Sequence, residues 1–123
     1  MQPSEKLHFG LEMEKKAAQL IVDAGAHILM ANFRYQGGEI DLIVEERDVG
    51  TDAVTLVFVE VRVRRKGAWF RGIESVDGLK LLRLKRGVDR FLARYRGHAT
   101  GTRLDLMVWD GDAWTRYRDV TFS

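Results

Sequence analysis

The pattern of apolar and polar positions predicts two helices. The first begins after Ser4, a favourable N-cap residue, and ends before Gly25, a common residue at helix ends. Its apolar residues recur at helical spacing, and we expect the core to contain Leu7, Leu11, Ala18, Ile21 and Val22. The second helix runs from about Ser75 to Tyr95. Its apolar stripe comprises Leu81, Leu84, Val88, Phe91 and Tyr95, and its basic face comprises Lys80, Arg83, Arg86, Arg90 and Arg94.

Five further segments have the composition of β-strands. They cover residues 27–35, 38–46, 53–64, 102–110 and 113–122. Because Gly37–Gly38 is a turn signal, the first two strands should pair antiparallel. The third strand is the richest in β-branched residues and should be central. We therefore predict one domain over residues 1–123 in the α/β (α+β) class, with a mixed five-stranded sheet flanked by helices.

Composition narrows the class of protein. Of the 123 residues, 46% are hydrophobic and 31% are charged, which is typical of a globular domain rather than a disordered chain. No cysteine is present, which excludes a disulfide scaffold, a cysteine-ligated zinc site and a thiol enzyme. No apolar run approaches the ~20 residues that cross a membrane, and the first residues lack the apolar core of a signal peptide. We therefore expect a cytoplasmic protein with no membrane partner.

The charged residues are unevenly distributed along the chain. Residues 1–61 carry 5 Lys and Arg against 11 Asp and Glu, whereas residues 62–96 carry 12 against 3. Within the basic segment, a loop beside Trp69 and Phe70 contains Arg62, Arg64, Arg65, Lys66 and Arg71. Cationic side chains next to aromatic rings favour contact with nucleic acid. A basic surface that is only solvated, with rings that belong to the core, is the alternative.

Several charged residues fall inside otherwise apolar strands. Glu39 and Asp41 are two apart on the second strand, so their side chains should share a face. The opposite face of that strand should comprise Ile40, Leu42 and Val44. On the third strand, Glu60 shares a face with Arg62 and Arg64. If the two strands pair, Asp41 and Glu60 lie on one face of neighbouring strands, with Arg62 one step along.

Charges inside apolar strands are costly unless they are paired, hydrogen-bonded or bound to a metal. One interpretation is a structural salt bridge across strands, between Glu60 or Asp41 and Arg62 or Arg64. Asp105, which lies mid-strand between two leucines, is interpreted in the same way, with Arg103 or Arg116 as its partner.

The other interpretation is a metal site. Three carboxylates and a guanidinium converge on one face, next to a concentrated basic surface. Carboxylate oxygens are hard ligands that suit Mg²⁺ or Mn²⁺. An ion held in this way polarises a phosphodiester and activates a bound water, while the basic surface holds the flanking phosphates. The two features together predict metal-dependent phosphodiester cleavage.

The same residues form motifs that resemble the D…ExK core of restriction-endonuclease-like nucleases. More narrowly, the chain resembles the YraN-like family of small bacterial proteins, which is related in fold to archaeal Holliday junction resolvases. The two signatures are GEIDLI at residues 38–43 and FVEVR at residues 58–62. The flanking matches are Gly10, Glu14, Ala17, Gly25, Asn32, Arg64, Ser75, Val76, Lys80, Arg103, Leu104 and Asp105. The resemblance covers nearly the whole chain and implies the restriction-endonuclease-like fold.

The resemblance also implies roles for individual residues. Asp41 and Glu60 would bind the Mg²⁺ or Mn²⁺ ion, and Glu14 on the first helix would complete the metal site, as in the resolvases. Glu14, Glu39 and Arg62 would support attack by a metal-activated water. Arg62 stands where nuclease families usually place lysine. Since arginine stays protonated, it cannot serve as a general base.

These roles imply a metal-dependent endonuclease that acts on DNA, with branched or structured DNA as one substrate class. From the distribution of charge, the phosphate-binding residues would be Arg64, Arg65, Lys66, Arg71, Lys80 and Arg83. Because the resolvases act as dimers, a homodimer is left open. Two other functions are also left open. One is a noncatalytic nucleic-acid-binding or assembly module, which Arg62 favours, and the other is an interaction domain whose basic helix docks an acidic partner.

Overall fold

The computed structural model describes residues 2–64 and 78–120, with side chains from residue 82 onward in the second helix. These residues form two helices and five strands in the predicted order. The helices are α1 (Pro3–Asp23) and α2 (Gly78–Leu92). The strands are β1 (His27–Tyr35), β2 (Gly38–Arg47), β3 (Val54–Val63), β4 (Gly101–Trp109) and β5 (Trp114–Tyr117). Within the described residues, no helix is long and apolar enough to cross a membrane.

The five strands form one mixed sheet in the order β1-β2-β3-β4-β5, so β3 is central, as its β-branched sequence predicts. β1 and β2 pair antiparallel through a two-residue turn, Gln36–Gly37. Gly37 has φ +112° there, which glycine adopts without strain. The β2–β3 and β4–β5 pairs are antiparallel, whereas β3 and β4 are parallel and α2 lies in their connection. The prediction of a mixed five-stranded sheet flanked by helices is confirmed.

α1 packs on one face of the sheet. Its buried side chains, Met13, Ala17 and Ile21, are spaced four residues apart and form a single stripe. Ala17 and Ile21 join a core cluster whose sheet residues are Leu42, Val44, Val57, Val59, Val61 and Met107. Ala18 is half-buried against this cluster. The prediction that Ala18 and Ile21 face the core is therefore confirmed.

The N-terminal half of α1 is exposed. None of its first ten residues is buried, and the N-cap is Gln2 rather than the predicted Ser4. The prediction that Leu7, Leu11 and Val22 face the core is wrong, since they are 68%, 46% and 43% exposed. Helical spacing identifies apolar residues on one side of a helix. It does not reveal how much of that helix the sheet covers.

α2 packs on the opposite face of the sheet. Leu84 and Phe91 are buried, and Val88 and Tyr95 are half-buried, as the predicted apolar stripe requires. Their neighbours in this cluster are Phe33, Ile40, Ile43, Leu56 and Phe58. The side chain of Leu81 and the helix start predicted near residue 75 lie outside the part that the structure describes.

The alternation of β2 breaks at the level of Asp41. Leu42 lies in the cluster under α1, but Ile40 lies in the cluster under α2. The prediction that Ile40 and Leu42 share a face is therefore wrong. β1 is irregular at the same level, because Asn32 falls in a gap of the β1–β2 register opposite Asp41 and has φ +56°. Side chains two residues apart therefore do not point to the same face of the sheet at this position.

An ionic network links β2, β4 and β5. Asp105 is fully buried, and its carboxylate lies 2.7 Å from Nε of Arg103 and 2.8 Å from Nη2 of Arg116. The backbone N–H of Asp119 donates a further hydrogen bond of 3.0 Å to Asp105. Glu46 accepts hydrogen bonds from the same two arginines. The predicted structural pairing of Asp105 is confirmed, with both candidate partners.

Candidate active site

β2 and β3 part at the position of the predicted site. Their pairing ends at Leu42 and Val59, so Asp41 and Glu60 stand where the two strands separate. Oδ2 of Asp41 accepts a 2.7 Å hydrogen bond from the backbone N–H of Val61. This bond satisfies a β3 amide that β2 no longer pairs with. The backbone of β3 therefore fixes the position of the Asp41 carboxylate.

Glu60 is buried on β3, with 5% of its surface exposed. Its Oε1 lies 3.1 Å from Nη2 of Arg62, which is itself half-buried. The structural interpretation predicted an ion pair across strands, but the pair that forms joins two residues of β3. It does not extend to Asp41, which forms no ion pair with any described residue.

α1 brings Glu14 to the same place. A cleft of about 200 Å³ separates α1 from the β1–β2 hairpin, and both Glu14 and Asp41 line it. The other lining residues are Leu11, Lys15, Ala18, Ala31, Asn32 and Leu42. Two carboxylates singled out from the sequence, 27 positions apart, thus face one cleft.

Burial and neighbouring negative charges raise the pKa values of the two carboxyl groups at the cleft, Asp41 and Glu14. Burial, followed by the negative charge of Glu60, raises the pKa of Asp41 to about 7, although the hydrogen bond from Val61 opposes the shift. Burial also raises the pKa of Glu14 above its ordinary value, and the charges of Glu39 and Glu60 add to that increase. Removing a charge from this group, or adding a cation to it, would relieve the repulsion.

Glu39 lies at the edge of this group. Its Oε2 is 3.8 Å from Nε of Arg34 on β1, and the arginine is largely exposed, so this ion pair is weak. The charge of Glu39 acts on both Glu14 and Asp41. Glu39 therefore contributes negative charge to the site. The contacts that fix the carboxylates are those of Asp41 with Val61 and of Glu60 with Arg62.

The group of carboxylates suits a cation that keeps most of its water ligands. In the described part of the chain, no three carboxylate or imidazole side chains are arranged to hold a metal ion. Mg²⁺ is usually bound by one or two carboxylates together with waters and substrate phosphates, and Mn²⁺ takes similar oxygen ligands. Asp41 and Glu60 are the two carboxylates that could supply such ligands, with Glu14 at the cleft. Binding through Glu60 requires that its ion pair with Arg62 open or be shared.

The predicted phosphate-binding residues are only partly described. Arg64 is half-buried at the end of β3, and burial together with the charge of Arg62 lowers its pKa. Arg83 is exposed on α2. The side chain of Lys80, and the whole of Arg65, Lys66 and Arg71, lie outside the described residues, as do Trp69 and Phe70.

Two residues at the site carry no role in the sequence prediction. Asn32 lines the cleft with a left-handed backbone, and Tyr35 donates a 2.7 Å hydrogen bond to the backbone carbonyl of Arg83. Burial and the charge of Glu60 raise the pKa of Tyr35, so its hydroxyl lies within electrostatic reach of the site. Asparagine is enriched at positive φ, but a strand sequence does not show which asparagine adopts it. For Tyr35, no signal in the sequence indicates the contact with α2.

Comparison with known proteins identifies relatives of this chain along most of its length. The sequence profile of an uncharacterised protein family, UPF0102, matches residues 13–108. That span includes Glu14 and both motif segments, GEIDLI and FVEVR.

Individual relatives give the same result. A UPF0102 protein of Alkalilimnicola ehrlichii is 34% identical over 118 residues, which is 94% of this chain and 89% of the relative. A UPF0102 protein of Burkholderia thailandensis is 36% identical over 111 residues, which is 90% of this chain and 73% of the relative. One from Burkholderia pseudomallei is 34% identical over 115 residues, which is 94% and 76% of the two chains. The chain therefore belongs to UPF0102, the YraN-like family, as its two motifs predict.

Proposed function

We propose that this protein is an endonuclease of the cytoplasm that uses Mg²⁺ or Mn²⁺ to hydrolyse phosphodiester bonds in DNA, with branched or structured DNA as its substrate class. The observation that carries the proposal is the position of Asp41. It is fixed by Val61 where β2 and β3 part, it lies close to Glu60 and Glu14, and it has no cationic side chain among the described residues as a partner.

A divalent cation explains this arrangement better than a salt bridge does. Half-buried carboxylates that repel one another are costly unless a positive charge compensates them. Arg62 compensates Glu60, but the repulsion that Asp41 and Glu14 experience is still present. A hydrated cation at Asp41 would lower that cost, and its remaining ligand positions would be open to phosphate oxygens.

Each residue of the site would have a separate role in the reaction. When bound, the ion would polarise the scissile phosphate and lower the pKa of a coordinated water. Asp41 and Glu60 would hold the ion, and Glu14 would orient the water from the side of α1. Arg62 would bind a non-bridging phosphate oxygen through a charge-assisted hydrogen bond, since it cannot accept a proton.

A second function is favoured by the ion pair between Glu60 and Arg62. If this pair stays closed, Glu60 is not available to a cation, and the protein would be a noncatalytic nucleic-acid-binding or assembly module. The two functions differ in whether a divalent cation binds to the carboxylates, so one measurement decides between them.

Calorimetric titration with Mn²⁺ and Mg²⁺ tests the proposal. We expect the wild type to bind, and Asp41→Asn to lose at least tenfold in affinity, because it removes the charge and keeps an oxygen for the Val61 amide. Asp48→Asn is the matched control, since Asp48 is exposed in the β2–β3 loop. Equal binding by the wild type and Asp41→Asn, or no binding even with branched DNA present, would leave the binding module as the function.

Cleavage is tested with the same variants on labelled branched and linear DNA duplexes in Mn²⁺ or Mg²⁺. We expect Asp41→Asn and Glu60→Gln to abolish cleavage while DNA binding is kept. Asp48→Asn should cut like the wild type. If both carboxylate variants still cut DNA, the proposed site is wrong.

A further inference from the structure

Four arginines share one exposed face of the second helix. Arg83, Arg86, Arg90 and Arg94 follow one another at intervals of three or four residues, which places them on one side of α2 and of the turn after it. All four are exposed, whereas the opposite side of the helix packs on the sheet. We refer to these four residues as the α2 basic face.

The α2 basic face concentrates positive charge, and Asp89 is the acidic residue that lines the same cleft as Arg86 and Arg90. None of the four arginines forms an ion pair with a described residue, and the guanidinium of Arg94 lies 5.7 Å above the ring of Phe33. By contrast, Arg103 and Arg116 are both bound by carboxylates. Like charges at this spacing weaken a helix, so the row is unfavourable for the isolated protein.

The face is held rigidly against the β1–β2 hairpin. The hydroxyl of Tyr35 donates a 2.7 Å hydrogen bond to the carbonyl of Arg83. The Tyr35 ring packs so closely on Gly87 that an added Cβ would lie 2.4 Å from Cε1. Next to this contact, an open cleft of about 490 Å³ lies between the hairpin turn and the helix, lined by Gln36, Gly37, Arg86, Asp89 and Arg90.

One end of the α2 basic face contacts the hairpin that carries the carboxylate site. The hydroxyl of Tyr35 on β1 bonds to the backbone of Arg83, and β2 of the same hairpin carries Asp41. From there the row continues along α2, past the hairpin turn, to Arg94 beside Phe33. At 1.5 Å of rise per residue, the row spans roughly 16 Å.

We propose that the α2 basic face, together with the hairpin turn, binds the phosphate backbone of the nucleic acid that enters the carboxylate site. The inference rests on the proposed function for the identity of the ligand. A row of guanidinium groups matches successive phosphates, which each accept paired N–H donors. An acidic protein is the less favoured occupant, because the fully buried centre of a stable protein interface is mostly apolar, whereas this face presents a row of charged side chains.

The test compares two variants that each remove two positive charges. Arg86→Gln/Arg90→Gln alters the α2 basic face, and Lys6→Gln/Lys16→Gln alters exposed lysines of α1. Binding of a labelled DNA duplex is followed by fluorescence anisotropy over a series of KCl concentrations, with EDTA present to prevent cleavage. The slope of log K against log[salt] counts the phosphates that are neutralised, at about 0.9 for each.

We expect the arginine variant to reduce that slope by about 2 and to weaken binding at least tenfold in low salt. The lysine variant should bind like the wild type. Arg86→Lys/Arg90→Lys keeps the charge and should recover most of the slope, which a purely structural role of these residues would not explain. An unchanged slope in the arginine variant would overturn the inference.

Two further measurements identify the occupant and separate the two proposals. Polyglutamate of equal charge should compete poorly, and competition as strong as that of DNA would overturn the choice of nucleic acid. Mn²⁺ titration of the arginine variant should match the wild type. If Asp41→Asn leaves metal binding unchanged while the arginine variant loses DNA, the nuclease proposal fails and the nucleic-acid surface stands.

Discussion

Asn32 shows how a single backbone conformation shapes the candidate site. Asn32 has φ +56° and lies at the position where the β1–β2 pairing is interrupted. It also lines the cleft beside Asp41. A left-handed conformation costs most residues about 1–2 kcal/mol, but asparagine and glycine adopt it more easily. Substitution by glycine removes the side chain and keeps this backbone conformation accessible, whereas substitution by alanine makes the conformation costly.

We expect Asn32→Gly to change the free energy of unfolding by less than about 0.5 kcal/mol, because glycine keeps the left-handed backbone. Asn32→Ala should destabilise the protein by about 1 kcal/mol, since alanine cannot adopt it cheaply. Urea unfolding of both variants measures the difference. Equal stability of the two would mean that the strain at this position is not significant.

At the scale of residues, the sequence predicted which charged residues lie near one another better than it predicted the local backbone geometry. The proximity of Asp41 and Glu60 follows from strand pairing, whereas the ion pair of Glu60 forms with Arg62 on the same strand instead of across strands. The faces of Ile40 and Leu42 were predicted from regular alternation, which assumes a regular strand. The positive φ of Asn32 removes that regularity, and a short-range pattern contains no information about it.

At the scale of elements, the first four strands were predicted to within one residue at each end, because alternation and turn glycines are local signals. The fifth was predicted over residues 113–122, which is wrong, since β5 ends at Tyr117. The residues of α1 that face the core were predicted only in part. Leu7 and Leu11 repeat at helical spacing, but they lie where the sheet does not cover the helix. The docking of α2 on the β1–β2 hairpin depends on Gly87, whose helix position accepts only hydrogen because of Tyr35. Nothing in the sequence near Gly87 indicates this long-range contact.

The docking of α2 predicts opposite effects for two glycine substitutions within helices. Gly87→Ala should destabilise the protein by about 1–3 kcal/mol, since the new Cβ would lie 2.4 Å from Cε1 of Tyr35. Gly10→Ala on α1 has open space around the added methyl group and should stabilise by about 0.5–1 kcal/mol through helix propensity. Urea unfolding midpoints measure both. A neutral Gly87→Ala would show that Tyr35 does not hold α2 as described.

At the scale of the whole molecule, two groups of ionised side chains act on stability in opposite directions. Burial raises the pKa of Asp41 to about 7, so the folded state binds more protons than the unfolded state between about pH 4 and pH 7. Burial alone would also raise the pKa of Asp105, but hydrogen bonds from Arg103 and the Asp119 backbone hold it below its ordinary value. Burial alone would likewise raise the pKa of Glu46, but hydrogen bonds from Arg103 and Arg116 lower it below its ordinary value.

These shifts predict a maximum in the dependence of stability on pH. The stabilising contribution of Asp105 and Glu46 is complete above their unfolded pKa values near pH 4 and is lost as the pH falls through their lower folded values. The contribution of Asp41 is complete below pH 4 and is lost as the pH rises through about 7. The free energy of unfolding in metal-free buffer should therefore be greatest near pH 4 and should decline between about pH 4 and pH 7.

Two isosteric variants show which residues cause the decline in stability above the maximum and which cause the decline below it. Asp41→Asn should remove the decline toward pH 8, and be more stable than the wild type there by about 1–3 kcal/mol, with the difference vanishing near pH 4. Glu46→Gln should reduce only the decline below pH 4, because Glu46 belongs to the network across β2, β4 and β5. Urea unfolding from pH 3 to pH 8 with EDTA gives both profiles. If Asp41→Asn follows the wild-type curve above pH 6, the carboxylates where β2 and β3 separate do not repel one another strongly, and electrostatic repulsion would not favour binding of a divalent cation there.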